Sequence, residues 1–416
     1  MIPQPDMNIS LRARLSAWFS QPASFLLGVT LYATLFGMVQ PHSGIYRGLL
    51  FGLAFPVALY VWMRGRGHLH LLARSGLLWA IGIILFSMLS TLWSSPTSAH
   101  AQSKIISHGL ETILFIVTFA LALTAETRHR IFFAKALLVF CVAGVVVSML
   151  TYYASHDAQS RLRGLSLLYF PTKGPVTLLG VIMTAILILV HNRNSHALLW
   201  SLPALLAANA FIFMSQTRGA LITALFFTLA WLARHIGVKK SLAGVIAVLG
   251  IGIVYIFSHR ELLDSWQLHM SAGLSHRDVI WPEVLREFTV KPWLGHGSAT
   301  LFEQSVAGIN IRQQVGFQID HPHGLIPSTL FYTGLAGLLL QLAYLLTLFR
   351  HCMAQTGTLR YMSLLTIACV FLATATNVHQ LTGSASYIWW GYWLPTITLA
   401  VLCRPGSDPA VEKKDV

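Results

Sequence analysis

The sequence predicts an all-α polytopic membrane protein of about twelve transmembrane helices, with one long polar loop that contains short helices. Three observations carry that prediction. Hydrophobic residues make up 55% of the 416 residues and charged residues only 10%, where a soluble chain is about one quarter charged. Apolar runs close to the roughly 20 residues needed to cross a bilayer recur along the chain. The barrel-like alternation of polar and apolar residues is missing, so each run must satisfy its backbone internally as a helix. Polar weight is concentrated instead in 259–323.

The runs end at charged or turn-forming residues. They fall at 24–40, 45–63, 75–94, 105–125, 131–154, 175–191, 198–215, 219–234, 241–258, 324–349, 361–379 and 384–403. Residues 1–258 therefore hold helices one to nine, 259–323 the loop, 324–403 helices ten to twelve and 404–416 a short tail. The run at 219–234 is short, and Pro395 interrupts the last one. Arg12 and Arg14 precede no cleavage signature, so no removable signal peptide is expected. Cys141, Cys352, Cys369 and Cys403 sit in or beside apolar runs without a C-x-x-C pair, which argues against a disulfide framework or a zinc knuckle.

The formal net charge of +14 does not require a nucleic-acid partner. Basic residues collect in alternate short loops, as in Arg64-Gly65-Arg66 and Lys239-Lys240. Short cytoplasmic loops carry such excess, which places both termini in the cytoplasm. The orientation exposes three exceptions on the outer side. Arg161, Arg163 and Lys173 lie in the 155–174 loop, Arg218 in the tight turn Ser215-Gln216-Thr217-Arg218-Gly219, and Arg277 with its neighbours in the long loop. Positive charge placed against the topology rule suits an anionic ligand; solvated loops or phospholipid head-group contacts are the alternative.

Within the loop, Val279, Ile280, Val284, Leu285 and Phe288 predict an amphipathic helix over 276–288. Ser275 and Asp278 form a capping-box-like start, and Pro282 falls in the early turns. Lys291 to Gly297 breaks the helix, and a second, weaker helix is expected from about Ala299 to Val306. The loop ends in Asp320-His321-Pro322-His323, where the chain re-enters the membrane. A histidine with a near-neutral pKa there can serve as general base toward a hydroxyl. His-x-His with Asp320 also offers metal ligands, yet no helix carries the paired acids of a divalent-cation phosphate site. No metal and no cofactor is therefore expected, and arginine takes the role of a cation. No Walker loop, dinucleotide fingerprint or Ser/His/Asp signature is present in a suitable context.

Four motifs in order resemble the bacterial O-antigen ligase family, whose superfamily includes O-antigen polymerases and protein O-oligosaccharyltransferases. They are Arg161-Leu162-Arg163-Gly164 with Pro171-Thr172-Lys173; Thr217-Arg218-Gly219-Ala220; His276-Arg277 with Trp281 and Pro292-Trp293-Leu294-Gly295-His296-Gly297; and His323 followed by Gly334-Leu335-Ala336-Gly337. The family often carries Asn or Ser where this chain has Gly324. The resemblance covers roughly 160–340. It implies metal-independent transfer of a glycan from undecaprenyl diphosphate to lipid A–core oligosaccharide, at a periplasmic site in the bacterial inner membrane. On that resemblance His323 is the base, with His321 second, and Arg218 and Arg277 hold the diphosphate and stabilise the leaving group. Arg161, Arg163 and Lys173 assist with phosphates, and Trp281 and His296 belong to the substrate-binding signature. A single base implies inversion at the anomeric carbon.

The rivals are a polymerase or protein ligase of the same superfamily and, from another class, a twelve-span transporter or lipid flippase. Transporters place acids or broken helices near mid-bilayer. Here Glu111 is the single acid inside a predicted span.

Overall fold

Apolar runs cannot expose backbone polar groups to lipid, and among the described residues they are helical with no strand between them. The computed structural model describes residues 21–406, apart from 41–43, 66, 158–159, 245, 247–249, 251–253, 255–275, 376–377 and 379. Before the long loop come α1 (Pro22–Val39), α2 (Gly44–Arg64), α3 (His68–Ser75), α4 (Leu77–Trp93), α5 (Ala99–Ala122), α6 (Thr127–Tyr153), α7 (Lys173–His191), α8 (Ala197–Met214) and α9 (Arg218–Ile236). The loop contributes α10 (Arg277–Phe288) and α11 (Val306–Val315); α12 (Leu325–Ala354), α13 (Gly357–Ala375) and α14 (Leu394–Leu402) follow. The protein is thus a multi-pass, all-α membrane protein.

Nine described helices are long and apolar enough to cross a membrane, and the pair α3–α4, bent by 89° at Gly76, makes a tenth. Of the expected spans, one is not described and one differs. Most of 241–258 lies outside the described residues, as do Arg12, Arg14, Ser275 and the tail beyond residue 406. The last run becomes a wide π-turn, Trp389–Trp393, followed by the short α14. Pro395 has no N–H for the carbonyl four residues back, and a wide turn accommodates the missing bond. Pro56 has the same effect in α2, where Leu50–Ala54 is also a π-turn.

At the centre stands α7, almost wholly buried and packed by α6, α8, α13 and α14. Its crossing with the Trp389–Trp393 turn needs glycine: a Cβ on Gly180 would lie 2.2 Å from the Trp390 carbonyl oxygen. Its first residue, Lys173, lies within electrostatic reach of Asp320, just before α12, and Thr217, just before α9, bonds the Pro171 carbonyl, so the starts of the three helices lie close together.

The long loop is more structured than an amphipathic helix with a tether. On α10 the buried residues are Ile280, Glu283, Val284 and Glu287, whereas Leu285, expected on the buried face, is 48% exposed. Glu283 is buried because it is satisfied: it accepts from Arg286 (2.8 Å), Asn310 (3.1 Å) and Gln314 (3.3 Å). The second helix is not at 299–306. A 3₁₀ turn occupies Phe302–Gln304, and α11 begins at Val306, where the Ser305 hydroxyl accepts from the Gly308 amide. Serine is a strong N-cap, so the helix starts after it. Ile280, Val284, Phe302, Ile311 and Phe331 close a small separate core between the loop helices and α12.

Two glycine motifs far apart in sequence meet at a break in α12. Gly334 has φ 63°, and a Cβ there would lie 2.5 Å from the Trp293 carbonyl oxygen. Around it the amides of Leu335 and Ala336 donate to the carbonyls of Pro292 (2.8 Å) and Trp293 (3.0 Å). The amides of His296 and Gly297 donate to Phe331 and Tyr332 (both 2.8 Å). The loop is thereby stitched into the helix that begins just after His323.

Candidate active site

His323 sits at the last turn of backbone before α12. Its φ of 52° is a left-handed conformation that non-glycine residues seldom adopt. It is held there by the Trp281 indole, which donates to its carbonyl at 3.2 Å. Trp281 therefore positions the histidine through the backbone. Gly324 follows without space for a side chain, since a Cβ would approach the Ala375 carbonyl oxygen at 2.8 Å. The His321 ring lies 3.9 Å from the His323 ring, centroid to centroid, and His321 Nδ1 bonds Asp320 Oδ1 at 2.5 Å. The Asp320 carboxyl is held well below the usual carboxylate range, chiefly by that bond.

Burial pushes His323 down from 6.5 to about 4, and the charges of His321 and Arg277 push the same way, against Asp320. A lowered histidine pKa means a neutral ring at pH 7, so the ring is free to accept a proton. The acid limb of kcat/KM is then expected near pH 4 rather than 6.5. The Asp320 charge raises the His323 value, so Asp320→Asn should move that limb to still lower pH. A pH–rate profile checks both, and an upward move in Asp320→Asn would contradict the assignment.

Arg277 opens α10 and Arg218 opens α9. Burial, and then the positive charge of Arg218, lower the Arg277 guanidinium from its ordinary value. Both stay charged. Arg277 thus stands within electrostatic reach of both His323 and Arg218. The turn carrying Arg218 is braced by the first motif. Arg161 Nε donates to the Ser215 carbonyl at 2.7 Å, and Thr217 Oγ1 donates to the Pro171 carbonyl at 2.6 Å. The Leu162 amide donates to Met214 at 3.1 Å. Arg161 is therefore tied to the Arg218 turn, whereas the Arg163 side chain is exposed.

Lys173 lies over the rings of Phe170 (4.7 Å) and Tyr387 (5.3 Å) and within electrostatic reach of Asp320. His296 is placed differently. It is 6% exposed, stacks on Phe331 at 4.8 Å and lies 3.2 Å, through Nε2, from the Glu287 carbonyl. It packs the loop against α12 and does not join the group around His323. Asp320, His321 and His323 offer ligand atoms all within 4.8 Å of one another, a set that suits a divalent cation as well as proton transfer.

Sequence reasoning placed Ser215 and Thr217 in the Arg218 turn but not as the partners of Arg161, and it missed a neighbouring cavity. That cavity of about 650 Å³ is lined by Lys173, Asp320, Arg47, Lys104 and His108, among others.

Comparison with known proteins gives two likenesses. A family model described as O-antigen ligase matches residues 202–342. The match spans Arg218, Arg277, Trp281, His296, His321 and His323 and leaves out Arg161, Arg163 and Lys173. An O-antigen ligase of Pseudomonas aeruginosa is 28% identical over 333 residues, covering 77% of this chain and 76% of that protein.

Proposed function

We propose that this chain, which belongs to the O-antigen ligase family, transfers O-antigen polysaccharide from undecaprenyl diphosphate to lipid A–core oligosaccharide. The site faces the periplasm, the termini face the cytoplasm, and the membrane is the bacterial inner membrane. One observation carries the mechanism: His323, fixed by Trp281 and close to His321, lies within electrostatic reach of Arg277, which lies within electrostatic reach of Arg218.

In this reading the two guanidiniums hold the diphosphate of the donor. Their mutual repulsion is relieved by an anion between them, and a planar fork matches paired phosphate oxygens. The acceptor hydroxyl oxygen attacks the anomeric carbon. Its proton passes to an imidazole nitrogen of His323 as the new C–O bond forms. The bond from the anomeric carbon to the diphosphate breaks, and undecaprenyl diphosphate leaves with the electron pair, stabilised by Arg218 and Arg277. The Asp320–His321 pair packs beside the base and orients it, and Trp281 fixes its backbone. Arg161 acts by bracing Arg218; Arg163 and Lys173 meet phosphates at the rim. Neither a metal nor another cofactor takes part, and bilayer lipids surround the spans.

Reconstitution tests this directly. Purified protein in vesicles receives the lipid-linked glycan and purified lipid A–core. The expected product is lipid A–core extended by the glycan, with one undecaprenyl diphosphate released per transfer. Extension of the lipid-linked glycan itself, or glycosylation of a protein acceptor, with lipid A–core left unchanged would overturn it.

A further inference from the structure

The cavity lined by Asp320, three residues before His323, has basic residues of its own, distinct from the Arg218–Arg277 pair. Its volume, about 650 Å³, falls in the range of cavities that bind small ligands. Arg47 comes from α2; Lys104 and His108 come from successive turns of α5, and the electrostatic neighbours of His108 are Glu111, Lys104 and Arg47. Two helices thus bring three basic side chains to one surface. Among the described residues neither Arg47 nor Lys104 is in an ion pair. The carboxylates on the cavity are Asp320, already bonded to His321, and Glu303 on the loop wall.

The floor is fixed. Tyr46 donates to the Ala385 carbonyl at 2.8 Å, Thr112 and Gly383 bond each other (3.1 and 3.2 Å), and Gln380 donates to the Ser298 carbonyl at 2.7 Å. These bonds tie α2, α5 and the long loop to residues 380–385 around the cavity, and Ser384 is among its lining residues. Asp320 links it to the base, because this residue lines the cavity and its carboxylate bonds His321, whose ring lies 3.9 Å from that of His323. Arg218 and Arg277 do not line it. A basic pocket joined to the base through Asp320 and His321, and a charged pair within electrostatic reach of it through Arg277, match two substrates meeting at one nitrogen.

We propose that this cavity is the acceptor subsite, and that Arg47 and Lys104 hold an anionic group, a phosphate or a carboxylate, borne by the acceptor sugar. The proposal rests on the ligase reading above and adds to it the charge of the acceptor. Ser384 meets the neutral part of the sugar, and Lys173, which also lines the cavity, stands at the boundary with the donor.

The test measures initial rates against acceptor concentration for native, dephosphorylated and carboxyl-reduced lipid A–core. Wild-type protein is compared with Arg47→Gln, Lys104→Gln and, as the conservative change, Lys104→Arg. Removing the recognised group should raise the acceptor KM of wild type about tenfold, the loss expected for a charge-assisted hydrogen bond, with donor KM unchanged. The form whose KM rises identifies phosphate or carboxylate as the source. Each Gln variant should raise KM for native acceptor by a similar factor and leave it unchanged for the deprived form, and Lys104→Arg should restore it. Equal KM for all three acceptors overturns the proposal. So does a variant that weakens all acceptors equally, as a lipid head-group contact would, or one that raises the donor KM. If wild type transfers nothing to lipid A–core, the ligase reading fails. Calorimetric binding of the three core oligosaccharides to the solubilised protein then decides the subsite: about tenfold tighter binding of the native form, lost in Arg47→Gln, supports it, and equal binding overturns it.

Discussion

His323→Ala is expected to lower kcat by about 10²–10⁴-fold, the usual contribution of a positioned general base, with little change in donor KM. The reason is geometric as well as chemical. The ring is kept neutral by burial and by Arg277, and its backbone is held at φ 52°, so no neighbouring group replaces it at the same place. The left-handed backbone complicates a single substitution, because alanine does not favour it. Asparagine tolerates that conformation better, so equal losses in His323→Ala and His323→Asn would isolate the missing base from any backbone change. Turnover near wild type in both would transfer the role to His321, whose Nδ1 is already engaged by Asp320.

Arg218→Lys is expected to reduce kcat by about 10²–10³-fold, the scale seen when one stabilising donor is removed from a developing charge. Charge is conserved in this change, so the loss measures geometry: an ammonium cannot present two parallel N–H groups to a diphosphate. The start of α9 offers little freedom to compensate. Arg161 and Thr217 pin the preceding turn to Ser215 and Pro171. Steady-state kinetics with varied donor separates the outcomes. A fall in kcat marks transition-state stabilisation, a rise in KM alone marks simple charge attraction, and wild-type values in both would remove Arg218 from the site.

Much of this arrangement is legible in the sequence, because membrane physics is severe. Apolar length fixes the helices, and the positive-inside rule turns Arg161, Arg218 and Arg277 into exceptions that need a reason. The structure brings Arg161 to the Arg218 turn and Arg277 to Arg218. What periodicity misses is polar burial. Glu283 and Glu287 occupy the inner face of α10 because α11 supplies partners, and counting apolar residues cannot see a partner twenty or more positions away. The start of α11 was signalled by Ser305, a capping residue placed too late for a helix at 299–306. The Gly295–Gly334 contact is a backbone-to-backbone meeting, recorded in sequence only as two glycines. Arg47, Lys104 and Asp320 share a cavity through folding alone, and nothing in their linear order joins them.

The most direct measurement is the anomeric configuration of the new linkage, read by NMR on product formed in vesicles with a strong chelator present. A single displacement driven by His323 and held by arginine predicts full product yield and a configuration opposite to that of the donor. Retained configuration, or product that vanishes with the chelator and returns with a divalent cation at Asp320, His321 and His323, would contradict it.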